Sequence, residues 1–503
     1  MKKLLISMLA VLMVMLMCVS CDTLRLPGLL GGTSPDTTNG VISDTISGSE
    51  TSATTATTTN PAEPSGTPAA TDSFLNDVEL SNFSIVYASG DTDYNYRAAQ
   101  YLQSEIKART GIELPLVTDN NQTANGYEII VGETNRAISD RLDATTQHTE
   151  FAILAEDKQI ALEADYFIIA AAAYFFVETY VPEDNFSAEI PKEVSIHEPI
   201  VEKAKNYIVL IGDGMGVYQT RLFDVLNNNI AYSDGESQFY GYYLPYFGLA
   251  RTDSLSGTTD SAAGGTALST GQKTINGYIG QDKNHAKITS ITELAGSRGM
   301  ATAVMSTEAS TGATPASFSA HANDRYLSND ILNSQGALKA TYGTIIECDY
   351  DIYTTTGIKQ IEQKITSTLN TLGQDEDGFF LMYEEAHIDK HCHNRDMTNT
   401  FKAVVRFNQA IARFMEYAFY NPDTIILITA DHETGSLLPN GCGSYSYGSG
   451  NHSSHYVPVF TYGDGGELFD GIVIENVQIP QTIASFMGVT NFGDQTTYKY
   501  LKK

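Results

Sequence analysis

From residue 74 to about 200 the apolar positions alternate between two periods. Ser84–Ala88 and Glu128–Gly132 carry the short apolar pattern of strands, whereas Tyr96–Arg109 carries helical spacing and stops at Gly111, a natural C-cap. A short helix is expected around Asn135–Leu142. Phe151–Glu156 and Gln159–Glu163 are split by Asp157-Lys158, the pattern of a hairpin. Asp165–Val181 reads as an apolar helix ending before Pro182, and Glu193–Ile196 as a strand that closes the sheet. Together these elements predict a two-layer α+β unit. It holds no cluster of catalytic residues and reads as a spacer or docking domain.

The region from 205 to 503 has a different rhythm. Four apolar runs each end in polar residues: Tyr207–Ile211 before Gly212–Gly216, Met300–Met305 before Thr311–Arg325, Phe379–Tyr383 before Glu384–His393, and Thr424–Thr429 before Ala430–Glu433. Buried strands alternating with helical stretches predict an α/β sheet, in which ligands bind beyond the carboxyl ends of the strands. The four clusters then converge at one edge. They bring Asp213, Glu384, Asp389 and Asp431 together with His393, His432 and His452. Four ionised carboxylates without cations would carry a large desolvation and repulsion penalty, so metal ions are implied. Oxygen and imidazole donors without thiolate suit Zn²⁺ beside a harder ion such as Mg²⁺. Asp389 and His393 stand at i and i+4, which on a helix is either a ligand pair or a surface pair. Gly212–Gly216 is either part of the site or a tight turn that lets strand and helix pack.

Thr259–Ala267 supplies a nucleophile candidate. Ser261 is followed by small residues that let a helix start approach an anion, and the other reading makes it the N-cap of a packing helix. Thr314-Pro315 reads as an N-cap and first-turn Pro, placing His321 and Arg325 on one face of the helix that follows. There Arg325 either grips a phosphoryl group with two parallel hydrogen bonds or makes a surface salt bridge.

Composition narrows the function classes. The 503 residues, 42 % hydrophobic and 18 % charged, describe a chain that buries a sizeable core. A formal net charge of −30 argues against nucleic acid as a specific partner. Lys2 and Lys3 precede an apolar run, Leu4–Met17, too short to span a bilayer, which predicts a signal peptide over residues 1–21. The small residues before Cys21 resemble a bacterial lipobox, which implies a lipid anchor on Cys21 and an extracytoplasmic protein held at a membrane face. Residues 22–73 are rich in Thr, Ser, Gly and Pro and read as a disordered tether. Five cysteines are too few and scattered for a disulfide framework, with Cys392 and Cys442 left as one conceivable pair.

Six segments of the second region form a set: IGDGMG at 211–216, TDSAAGGTA at 259–267, ATPA at 313–316 with Arg325, EEAHIDKHCH at 384–393, TADHE at 429–433, and His452 ahead of VPV at 457–459. In order and spacing they resemble the alkaline phosphatase family. The resemblance implies a three-layer α/β/α sandwich around a mostly parallel sheet over 205–503, preceded by the small α+β domain of 74–200. The small domain itself is loosely similar to a non-catalytic domain found before the barrel of some glycoside hydrolases. The family likeness further implies two Zn²⁺, one on Asp389, His393 and His452 and one on Asp213, Asp431 and His432, and a Mg²⁺ on Asp213, Thr314 and Glu384. Ser261 becomes the nucleophile and Arg325 the phosphate clamp for small-molecule phosphate monoesters. Phosphodiester or sulfate-ester hydrolysis is the sibling reaction, and a binding lipoprotein with a vestigial hydrolase core is the reading from another class.

The chain departs from its relatives in places. Gly312 stands where relatives often carry Asp or His, which bears on the third cation. Lys390 either reaches the phosphate through water or faces solvent. Glu385, His387, His391 and His455 are read as supporting or surface residues, and the short connections after Arg325 and His432 imply an open site with no assumed dimer.

Overall fold

The computed structural model describes residues 73–89, 94–121, 123, 126–142, 149–182, 185–223, 239–348, 355–440 and 444–502. The leader with Cys18 and Cys21, the tether as far as residue 72, and Cys442 lie outside them. Pro68–Lys503 forms a compact unit containing two large sheets. Among the described residues no helix is long and apolar enough to cross a membrane.

The first sheet is built from β1 (Phe83–Tyr87), β2 (Leu116–Thr118), β3 (Tyr127–Val131), β4 (Phe151–Glu156), β5 (Gln159–Ala164) and β6 (Ser195–His197), in the order β2-β1-β3-β5-β4-β6. β2, β1, β3 and β5 run parallel, and β4 and β5 form the expected antiparallel hairpin. Helix α1 (Tyr94–Thr110) ends at Gly111, whose φ of 73° is the left-handed cap a glycine adopts freely. Helix α2 (Ile169–Tyr180) stops before Pro182 and packs on α1. The helix expected at 135–142 is absent. Only a 3₁₀ turn, Ser139–Arg141, forms there, because the Thr134 hydroxyl accepts from Arg136 N at 3.3 Å and competes with helical bonding.

The second sheet has the order β10-β9-β11-β7-β12-β15-β8-β16. Its strands are β7 (Asn206–Gly212), β8 (Tyr246–Arg251), β9 (Ala301–Ser306), β10 (Ile345–Glu347), β11 (Phe379–Glu385), β12 (Thr424–Thr429), β15 (Val457–Tyr462) and β16 (Val473–Glu475). β13 (Glu433–Thr434) and β14 (His452–Ser453) form a separate two-stranded ribbon. The five strands from β10 to β12 are parallel, while β15 runs antiparallel to both β12 and β8. Helices α3 (Ser261–Thr270), α4 (Ile291–Ser297), α5 (Ala313–Ser319) and α10 (Gln478–Phe486) pack together, as do α7 (Thr355–Leu372) and α9 (Met397–Tyr420). These two groups cover the sheet and make the three-layer α/β/α sandwich. Two further helices are α6 (Ser328–Tyr342), which packs on α4 and α5, and α8 (His387–His393), which packs on α9.

Register decides where chemistry collects. Gly212 pairs with Glu385, Ile211 with both Glu384 and Thr429, and Ser306 with Glu384. Four parallel strands therefore end level, and the polar residues after each are delivered to one edge. The small unit is fixed to the far end of α9. Arg97 Nε donates to Glu416 Oε1 at 2.6 Å, and the Tyr101 and Tyr420 rings stack 4.1 Å apart. One continuous apolar core runs from Leu75 to Phe492.

Candidate metal centre

After β7 the chain turns sharply through Gly212–Gly216. Gly214 has φ 73°, and a Cβ there would lie 2.9 Å from Asp389 Cα and from Thr434 Oγ1, so both conformation and space require glycine. This close approach lets Gly214 N donate to Asp431 Oδ1 at 3.2 Å and sets Asp213 beside the end of β12.

Helix α8 carries Asp389 and His393 on one face, with Oδ2 and Nε2 3.3 Å apart. The ribbon β13–β14 pairs Thr434 with His452 and swings the latter over the same face. His452 Nε2 lies 3.5 Å from Asp389 Oδ1 and 3.0 Å from His393 Nε2. His432 Nε2 lies 3.2 Å from Asp431 Oδ2, 3.6 Å from Asp213 Oδ1 and 3.2 Å from Ser261 Oγ. Two groups result, Asp389 with His432 and His452, and Asp213 with Asp431 and His432; His393, expected with Asp389 and His452, stands beside the first group rather than in it.

Each imidazole is anchored through its other nitrogen. His393 Nδ1 donates to Gly450 O at 2.8 Å, and His452 Nδ1 to Thr259 O at 2.9 Å. Thr434 Oγ1 donates to Asp389 Oδ1 at 2.6 Å and thereby accepts from His432 Nδ1 at 3.2 Å. All three rings thus turn Nε2 inward, the arrangement seen when histidines hold a metal. Thr434 was not singled out by the sequence. Its one signal is position: two residues after His432 on an extended segment, it faces the same way.

The carboxylates have too few protons and donors around them. Asp213 Oδ1, Glu384 Oε1, Asp431 Oδ2 and Thr314 Oγ1 are buried without a hydrogen-bond partner. Burial, then the charges of Asp431, Asp389 and Glu384, push Asp213 well above the usual carboxylate range. Burial and Asp389 raise Asp431 to about 7, and burial and Glu308 raise Glu384. Burial pulls His432 down to about 4, leaving it neutral and able to ligate. Cations are the chemistry that satisfies these oxygens and nitrogens together, so the two groups fit metal ions.

Ser261 is the first residue of α3, and the N-cap is Asp260, whose Oδ1 accepts from Ala263 N at 2.9 Å. The capping explanation for Ser261 therefore fails, and its hydroxyl is turned to His432. Gly264 is needed one turn on, because a Cβ there would sit 2.8 Å from Asp431 O. Asp260 Oδ2 accepts from Arg325 Nη1 at 3.2 Å and from Gly277 N at 3.0 Å, which holds the guanidinium near Ser261.

Arg325 and His321 are not on a helix, contrary to their expected i, i+4 placement. Helix α5 has Gly312 as N-cap and ends at Ser319, and Ala320 is extended. The chain is pulled straight where Ala322 exchanges backbone hydrogen bonds with Ile279 at 3.0 and 3.1 Å. His321 turns away to Gly280 O and Glu293 Oε1. Thr314 is the second helical residue rather than the cap, and it is fully buried beside Glu384.

The supporting residues sort themselves. Buried Glu385 accepts from Arg406 Nη2 at 2.9 Å; burial pushes its carboxyl up, but Arg406 and His387 together bring it down to about 2. His387 Nδ1 lies 3.4 Å from Thr307 Oγ1, and half-exposed His455 Nδ1 lies 3.7 Å from Glu433 Oε2. His391 lies a turn beyond His387, their rings 6.2 Å apart. None joins the two ligand groups. Lys390 Nζ pairs with Glu308 Oε2 at 2.7 Å. Cys392 is a buried free thiol, with its sulfur 3.7 Å from Thr400 Oγ1 and Tyr447 Oη.

The alkaline phosphatase family model matches residues 204–352 and 348–448. The chain is similar to alkaline phosphatase 3 of Bacillus subtilis (strain 168), 29 % identical over 300 residues that cover 49 % of this chain and 64 % of the relative. It is similar to alkaline phosphatase 4 of the same organism, 30 % identical over 287 residues, 46 % of this chain and 62 % of the relative. It thus spans less than two thirds of the length of these relatives. The structure of alkaline phosphatase from the Antarctic bacterium TAB5 superimposes with a TM-score of 0.50 at 26 % identity, covering 57 % of this chain and 99 % of that one. These matches support the alkaline phosphatase family and an alkaline-phosphatase-like α/β fold.

Proposed function

We propose that the chain hydrolyses phosphate monoesters to an alcohol and inorganic phosphate through a phosphoserine at Ser261. The observation that carries this reading is that Ser261 Oγ lies 3.2 Å from His432 Nε2, a member of both groups of imidazoles and buried carboxylates. Asp389, His393 and His452 would hold one Zn²⁺, Asp213, Asp431 and His432 the other, and Asp213, Thr314 and Glu384 a Mg²⁺. Bound in these positions, the ions would lower the pKa of coordinated hydroxyl and water and balance charge on the transferring phosphoryl group.

The chain's own groups do the rest. Ser261, at the N-terminus of α3, presents its oxygen to phosphorus in line with the departing alkoxide. Its Oγ–P bond forms as the P–O bond to the alcohol breaks, and the alcohol leaves with a proton. Arg325, steadied by Asp260, offers parallel N–H donors to the phosphoryl oxygens and neutralises part of their charge. Water then attacks the phosphoserine, the Oγ–P bond breaks, Ser261 regains a proton and inorganic phosphate departs. The leader and tether would place this reaction outside the cytoplasm, with Cys21 as lipid anchor and residues 74–200 as accessory domain.

The test is the full chain supplied with Zn²⁺ and Mg²⁺ and given aryl phosphate monoester, diester and sulfate in parallel. Monoester turnover should dominate, and Ser261→Ala should lower it by about 10⁴-fold or more. Diester or sulfate turnover faster than monoester would move the proposal to the sibling reaction, and full activity in Ser261→Ala would refute the mechanism.

A further inference from the structure

Gly312 is the N-cap of α5, two residues before Thr314, with φ −56° and ψ 153°. Side-chain-bearing residues adopt that backbone readily, so conformation does not call for glycine here. Space does. A Cβ on Gly312 would lie 1.9 Å from Oε1 and 2.3 Å from Cδ of Glu308. The Glu308 carboxyl therefore fills the volume that a side chain at 312 would take.

Glu308 is also tied into the site from two directions. Its Oε2 accepts from Lys390, the neighbour of Asp389, at 2.7 Å. Its backbone N donates to Ser306 Oγ at 3.0 Å, and the Ser306 hydroxyl in turn donates to Glu384 Oε2. Glu384 Oε1, Thr314 Oγ1 and Asp213 Oδ1, each buried, remain without hydrogen-bond partners.

We propose that Glu308 is an additional carboxylate of the third, hard-cation position, brought in from the loop after β9 in place of a side chain at 312, with Lys390 as its counter-charge. This rests on the metal-site reading given above. A hard divalent ion keeps several waters and favours anionic oxygen around them, and Glu308 adds that charge next to Thr314 without changing the three partnerless oxygens. Loss of a group supporting a metal position in this way typically weakens binding 10- to 100-fold.

The experiment measures Mg²⁺ binding by calorimetry to the zinc-loaded full chain, with zinc content followed by elemental analysis. Glu308→Gln should weaken Mg²⁺ at least about tenfold and leave two zinc ions per chain. Unchanged Mg²⁺ affinity in Glu308→Gln overturns the proposal and leaves Glu308 as a partner of Lys390 alone. A wild-type chain that takes up zinc but no Mg²⁺ overturns it too, and locates the fault in the third-position reading itself. A second arm needs no turnover. Gly312→Asp should lower Tm in the wild-type chain, because two carboxyls then compete for one volume, and should be tolerated in the Glu308→Ala background, where it regains Mg²⁺ affinity. Simply additive Tm losses would contradict the shared volume.

Discussion

Both sheets of this molecule bury carboxylates at the ends of parallel strands, and they treat them in opposite ways. In the small sheet, Glu128 is 4 % exposed and fully served: Arg136 Nε donates at 2.9 Å and Gln159 Nε2 at 2.7 Å. Asp119 there accepts from Ser89 N at 2.7 Å and Asn135 N at 3.0 Å. In the large sheet, Glu384 and Asp431 are wholly buried and each keeps an oxygen with no donor. The protons and positive charges that complete the first group are part of the chain, whereas the second group keeps oxygens that no group of the chain serves. Burial opposes ionisation in both, yet Arg136, Gln159 and Thr123 bring Glu128 below the ordinary range while Glu384 stays above it. One sheet serves its buried carboxylates from within the chain, and the other leaves buried oxygens without a donor.

The sharpest way to break that contrast is to remove the residue that joins both ligand groups. Thr434→Val keeps shape but removes the hydroxyl that serves Asp389 and His432, and zinc affinity in a chelator competition should fall by about 10- to 100-fold. Unchanged zinc affinity would mean that the inward Nε2 atoms are set by packing alone. Asp260→Asn should act next, by weakening the hold on Arg325. We expect kcat/KM for a monoester to drop by about tenfold with zinc content unaltered. A loss of zinc in that variant would show that Asp260 supports the metals rather than the clamp.

In the small sheet the expected effects are confined to stability. Arg136→Ala should lower it by about 2 kcal/mol in denaturant unfolding and leave zinc binding and KM unchanged. Altered zinc affinity would mean that the two sheets are energetically coupled. The pH dependence has a definite sign. Because folding lowers the Glu128 pKa, its stabilisation is present above the unfolded-state value near 4.3 and is lost as pH falls through the folded one. Glu128→Gln should flatten the acid limb of a Tm-against-pH curve slightly, and an unchanged limb would assign acid sensitivity elsewhere.

Much of this was legible in the chain because apolar runs that stop at Asp, Glu or His mark strand ends directly. Tyr207–Ile211, Phe379–Tyr383 and Thr424–Thr429 all fall inside observed strands, and the Asp389–His393 spacing does place both on one helical face. The helical period that would carry Arg325 breaks off at Ser319, where pairing of Ala322 with Ile279 straightens the chain. Thr434 was invisible because threonine is ordinary in extended segments, and only the ribbon with His452 gives its hydroxyl two partners in the site. Glu308 was equally hidden. Nothing in its neighbours reveals that it occupies the space over Gly312, a fact of three dimensions alone.

The central claim is that the partnerless cluster exists to support transfer of a phosphoryl group to Ser261. The most direct measurement is to quench the full chain in acid during turnover of a monoester, with Zn²⁺ and Mg²⁺ present, and locate the phosphoryl group by peptide mass spectrometry. The account predicts phosphoserine at Ser261, abolished by EDTA and unchanged in site when Arg136 is replaced. Turnover with no phosphorylated Ser261, or with the phosphoryl group on another residue, would contradict it.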